Sequence, residues 1–261
     1  MATDDSAVRR PFVTYKRPDA QPVGLGLRPR LASWDASGHP AQVELRHYLE
    51  YASAALSPQL QTLRAPWALR LDVGLPEPVP LLDQHDLDNY LYPLARHLSS
   101  KTSESLVSAW CTKQHGSESS VRVEPAEPAE RADSARLQVR TTESAGTVAY
   151  KEQIREQIRS QAPLPDGPVM LELAFVVSRR NWLNLWKPTL DALDPLLGRT
   201  HEDRDWHPRD GRIVELGLHV VEDASVGHSV EIQIRVNSST RPGRRLSDGR
   251  SGFRTDRAEP R

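Results

Sequence analysis

The feature that most constrains this chain is a motif written twice. Asn181-Trp-Leu-Asn-Leu-Trp-Lys-Pro-Thr-Leu-Asp-Ala-Leu193 has an upstream counterpart in Asp86-Leu-Asp-Asn-Tyr-Leu-Tyr-Pro-Leu-Ala-Arg-His-Leu98. Placing Asn89 over Asn184 also brings Pro93 onto Pro188 and Leu98 onto Leu193. Each copy is flanked by the same order of periodic segments: a short strand, a helix, an apolar strand, the motif, then further strands. Such self-similarity, sought before any other pattern, predicts an α+β fold made by internal duplication of one strand-helix-strand-helix-strands unit. The two units would pack about a pseudo-two-fold axis as a pseudo-dimer, sharing a core, so that a single chain does the work of two.

The expected boundaries follow composition. Residues 1–40 form a Pro-, Gly- and Arg-rich extension, partly disordered, with Phe12–Tyr15 as its one strand-like piece. The first half covers 41–125. In it, Val43, Leu45, Tyr48, Leu49, Ala52 and Leu56 recur at helical period before Pro58, and Trp67–Val73 alternates as a half-buried strand. Pro93 is expected in the first turn of the motif helix, where its missing N–H is harmless. Strands at Leu106–Thr112 and Val121–Val123 complete the half. Residues 126–135 read as a linker. The second half, 136–236, opens with a strand at Leu137–Thr141. A helix follows from Thr147 to Gln161, with Val148, Ile154 and Ile158 on one side. Pro168–Val177 is apolar enough to be a central strand, and Ile213–Val221 and Val230–Val236 close the half. The tail, 237–261, holds seven arginines against three acids; it is expected to be disordered and to add non-specific phosphate attraction.

With 38% hydrophobic residues the chain can bury a core, and its net charge of −1 argues against a protein that coats nucleic acid through a global field. The single cysteine, Cys111, is read as a small buried hydrophobe, and no zinc spacing is present. The opening residues lack a basic and then apolar signal, and no run of eighteen apolar residues occurs. The expectation is a cytoplasmic protein with no membrane partner.

At the repeated motif the chain resembles the RusA family of Holliday junction resolvases, magnesium-dependent endonucleases that work as homodimers. The family pattern reads Asp-x-Asp-Asn-x-x-Lys-x-x-x-Asp-Ala-Leu, followed by a loop and an Asp-Asp-x-Gln-Ile segment entering a strand. In the first half Asp86, Asp88 and Asn89 match, but Tyr92 replaces the lysine, and Ser103 or Glu104 falls near the downstream aspartate. In the second half Asn184, Lys187 and Asp191-Ala-Leu193 match and Asp210-Gly-Arg-Ile213 resembles the downstream segment, whereas Asn181 and Leu183 replace the two motif aspartates. The losses are complementary.

The resemblance implies an Mg²⁺-dependent, structure-selective endonuclease acting on branched DNA in recombination or repair, with one composite site. Asp86, Asp88 and Asp210 would be the metal ligands and Lys187 an electrostatic stabiliser, because such hydrolysis needs hard oxygen ligands gathered against a phosphate. Asp86 and Asp88 are expected at a strand end, where residues i and i+2 share a face. Asn89, Asn184 and the Lys151, Arg155, Arg159 row are candidate nucleic-acid contacts. That row equally fits a solvated face paired by Glu152 and Glu156. The loop carrying His201, Glu202, Asp203, Asp205 and His207 offers replacement ligands or is simply an exposed insertion. Trp182, Trp186 and Trp206 are base-stacking candidates or packing residues. The alternative to an enzyme is a catalytically inactive descendant that binds DNA or a protein partner.

Overall fold

Period-two and continuous apolar runs become strands, and all the strands enter one sheet. The structure is a computed structural model describing residues 12–32, 35–130 and 137–238, and it is mixed α+β. In chain order it has β1 (Val23–Leu25), α1 (Pro40–Thr62), β2 (Trp67–Leu75), α2 (Leu87–Ser99), β3 (Leu106–His115) and β4 (Ser119–Pro125). Then come β5 (Leu137–Thr141), α3 (Val148–Ile158), β6 (Val169–Val177), a 3₁₀ turn Trp182–Leu185 leading into α4 (Trp186–Asp191), α5 (Asp194–Leu197), β7 (Ile213–Glu222) and β8 (Val230–Ser238). The sheet order is β1-β4-β2-β3-β7-β6-β8-β5.

The first four strands and the last four pair in the same order. β2 lies parallel to β3 and antiparallel to β4, with β1 outside; β6 lies parallel to β7 and antiparallel to β8, with β5 outside. Each parallel pair has a register shift after its first residue, between Trp67 and Ala68 and between Val169 and Met170. Antiparallel β3 and β7 join the halves, with Trp110 opposite Gly217 at the middle of their ladder. A Cβ at Gly217 would lie 2.8 Å from the Trp110 ring, so only glycine leaves room for the indole across the joint.

One sheet face is apolar. Leu69, Leu71, Cys111, Leu171, Leu173, Leu216 and Leu218 are buried there beneath the helices, in a core cluster containing residues of both halves. The other face is polar. Asp72 accepts from Arg70 (2.9 Å), Thr112 (2.7 Å) and Arg122, while Glu172 accepts from Arg235 (3.0 Å) and faces His219 (3.1 Å). Residues 17–20 lie over that face, Pro18 and Ala20 receiving Arg70 and Arg122 on their carbonyls.

Several local expectations change. Phe12–Tyr15 is not a strand: Tyr15 makes only an isolated bridge to Pro128, and the opening strand is the three-residue β1. Helix α1 continues past Pro58 to Thr62, because Leu60 extends the buried stripe of Leu45, Tyr48, Ala52 and Leu56, and that burial outweighs one lost backbone bond. In α3 the buried face is Tyr150, Ile154 and Ile158, with Val148 half-exposed beside the Thr147 cap. Pro93 lies in the middle of α2 rather than its first turn. The second motif is not one helix: it divides into the 3₁₀ turn Trp182–Leu185 and α4, and α5, with Pro195 in its first turn, is a separate short helix after it. Part of the expected linker is pinned: Ala126 donates to Pro66 O and Ala129 to Thr14 O. Residues 131–136 and the arginine-rich tail beyond Ser238 lie outside the described residues.

Candidate metal centre

The two motifs end up beside each other at one end of the β3–β7 joint. Asp86 is the N-cap of α2, in extended conformation, and Asp88 sits in its first turn. Asp210 opens the 3₁₀ turn that leads into β7. Ligand oxygens of these three, two from the first half and one from the second, lie within 4.8 Å of one another. The expectation that Asp86 and Asp88 share a face of extended chain is corrected. They converge because Asp86 stands outside the helix, and residues i and i+2 within a helix would diverge. Both lie where the α2 amides leave a positive helix end, which favours carboxylates.

Lys187, projecting from α4, closes the cluster. Its Nζ is 3.0 Å from Asp210 Oδ2, 3.2 Å from Asp191 Oδ1 and 3.9 Å from Asp88 Oδ2. Burial lowers the Lys187 pKa, but Asp88, Asp210 and Asp191 outweigh it and hold the ammonium well above its ordinary value. Burial drives the Asp88 carboxyl up to about 7, with Asp210, Asp86 and Asp191 adding to the rise and Lys187 opposing it. Asp86 is raised too, by burial and then by Asp210. Three hard-oxygen donors this close, one of them 3% exposed and resisting ionisation, are a donor set that a small divalent cation fits and relieves.

A second lysine, which the sequence reading passed over, ties the two halves together here. Lys113, 4% exposed in β3, donates from Nζ to Gln84 O (2.9 Å), His85 O (3.0 Å) and Gly211 O (2.5 Å). It thereby clamps the loop before Asp86 to the 3₁₀ turn that Asp210 opens. Burial brings its pKa down to about 8, against the pull of Asp86 and Asp210. His85 adds a strained link: its backbone is left-handed (φ 64°), and its Nδ1 lies 2.6 Å from Tyr90 Oη. The packing of the loops is close enough that a Cβ on Gly211 would meet Asp83 C at 2.8 Å.

The remaining sequence candidates divide. Asn89 reaches back to Asp86 Oδ2 (3.2 Å), and Asn184 accepts from Tyr92 Oη (3.2 Å); each backbone N–H also bonds the carbonyl three residues before it, Asp86 and Asn181, at 3.2 Å. The two asparagines therefore hold the same place behind their caps. Lys151, Arg155 and Arg159 are engaged within the chain. They pair with Asp191 (3.6 Å), with Asp194 and Asp205 (3.3 and 3.0 Å), and with Glu156 (3.1 Å), so only Arg159 takes a partner from its own helix. His201 and His207 line the cavity over the cluster but lie outside the acid group, so the loop does not supply the missing ligands among the described residues. Trp182 and Trp186 are buried edge-to-face (5.0 Å), and Trp186 meets Tyr92 of the other half (6.2 Å), which fits the packing role.

One further group has suggestive chemistry. Ser108 Oγ is 3.1 Å from His219 Nδ1 and His219 Nε2 is 3.1 Å from Glu172. Ser108 and His219 are wholly buried, so a substrate has no approach to the serine. No protein-family model, curated protein or solved structure matches this chain.

Proposed function

We propose that the chain is a divalent-metal-dependent endonuclease for branched DNA, built from two fused RusA-like units that retain one composite site. The carrying observation is the convergence of Asp86, Asp88 and Asp210 from opposite halves beside Lys187. The matching strand order of the halves supports a duplication, with β3 and β7 taking the place of a dimer joint. Asp86, Asp88 and Asp210 would hold Mg²⁺, which when bound supplies a Lewis acid for the phosphoryl oxygen and a water of lowered pKa. Lys187 keeps its proton and offsets charge that develops on the phosphate. Lys113 fixes the two loops so that their carboxylates do not spread apart. The cavity above, about 720 Å³, admits the backbone from the side of Asp86 and Asp210, both of which line it; Asp88 lies behind them.

A second reading, a non-catalytic descendant, is favoured by one observation: Lys187 already pairs with Asp88, Asp191 and Asp210 and so partly satisfies the cluster without metal. A four-way junction assay separates the two. The enzyme reading expects Mg²⁺-dependent cleavage that Asp88→Asn abolishes while junction binding in Ca²⁺ persists. Binding without cleavage by the unaltered chain would favour the second reading.

A further inference from the structure

Trp206 stands in the wall of the cavity that Asp86 and Asp210 also line, and the metal chemistry makes no use of it. Lys151 Nζ and Arg155 Cζ, on successive turns of α3, lie over its ring at 5.1 and 5.0 Å from the centroid. Trp206 lines the cavity and neither cation does. The Trp206 backbone is left-handed (φ 67°), a conformation that bulky residues avoid. Its hairpin is braced to hold it. Asp194, fully buried, faces Arg155 (3.3 Å) and Arg199 (2.8 Å), and Asp205 pairs with the same two arginines (3.0 and 3.1 Å). Backbone bonds from Thr200 to His207 O and from Arg209 to Gly198 O, each 2.9 Å, close the hairpin. A half-buried indole kept in a strained backbone by this bracing is set up to receive a flat ligand rather than to fill a core.

A phosphodiester at the acid cluster brings such a ligand with it, the base of the adjoining nucleotide. We propose that Trp206 is a stacking platform for an unstacked nucleobase beside the phosphate held at Asp86 and Asp210, an assignment that rests on the nucleolytic reading above. Stacking on an indole needs no base-edge code, and a base is free to stack only where it has left its neighbours, as at a branch point or in a single strand. Lys151 and Arg155 then act as positioning residues, working through the indole rather than on phosphate.

The test uses the full chain and a four-way junction carrying 2-aminopurine beside the branch, with Ca²⁺ to permit binding without cleavage. The unaltered protein should quench 2-aminopurine at a branch position. Trp206→Leu should lose that quenching and bind on the order of 10- to 100-fold more weakly, while Trp206→Phe, which keeps a stacking ring, retains most of both. An abasic nucleotide at the quenched position should weaken binding to the unaltered protein and leave Trp206→Leu unaffected. Quenching and affinity unchanged in Trp206→Leu would overturn the platform, and continued Mg²⁺-dependent cleavage in that variant would show that the nucleolytic reading survives it. An unaltered protein that binds neither branched nor single-stranded DNA would overturn both.

Discussion

Asp88 is asked for two incompatible things: burial against the core and a negative charge beside two other carboxylates. Its carboxyl is pushed up to about 7, first by burial. The folded chain therefore binds a proton that the unfolded chain gives up at its ordinary value near 4, and metal-free stability should fall as pH rises between these two values. Asp88→Asn removes the ionisation. At pH 8 without metal it should be more stable than the unaltered chain, by up to about 4 kcal/mol, with the difference shrinking as pH falls through 7 and closing only below about pH 4. Chemical denaturation of both proteins at either end of that range measures this, and an equal gap at both would mean that Asp88 is not the group that titrates. Saturating Mg²⁺ should stabilise the unaltered protein alone, since binding the folded state shifts its apparent stability by mass action.

At the scale of elements, the site depends on two loops that no single half contains. Gly211 lets the second-half loop pass against Asp83 and Gln84, and Lys113 locks that approach. Gly211→Ala should therefore weaken metal binding by roughly tenfold or more, since displacements near 1 Å are enough to spoil such a constellation. Gly217→Ala, pressing on Trp110 at the strand joint, should instead cost about 1–3 kcal/mol of stability and leave metal affinity nearly intact. Calorimetric titration and thermal melts of the two variants check the contrast; identical losses in both would mean that joint and loops are not separable.

The strands other than β1 and the helical stripe of α1 were legible in the sequence because local periodicity records them, whereas the three acids were singled out by the family resemblance of their motifs. The opening strand was not, as Val23-Gly-Leu is too short to carry a pattern. Lys113 was hidden because its partners are backbone carbonyls brought in by loops far along the chain. The Lys151 row showed its charge but not its partners, Asp191, Asp194 and Asp205, which come from segments that meet α3 only in the folded chain.

On the scale of the whole molecule, the two motif positions differ in the acids they carry. Where the first half has Asp86 and Asp88 the second has Asn181 and Leu183, and Tyr92, standing where the second half has Lys187, bonds Asn184 across the joint. Leu183 cannot ligate a metal, so one chain should hold a single hard-oxygen site and, on the proposed nucleolytic function, nick one strand per encounter unless two chains bind the same branch. The most direct test of this account is a Mn²⁺ titration of the full chain by calorimetry. The account predicts one tight site per chain, abolished by Asp88→Asn in the first half and equally by Asp210→Asn in the second. Binding that survives Asp210→Asn, or an unaltered chain that takes up no metal, would contradict the composite site.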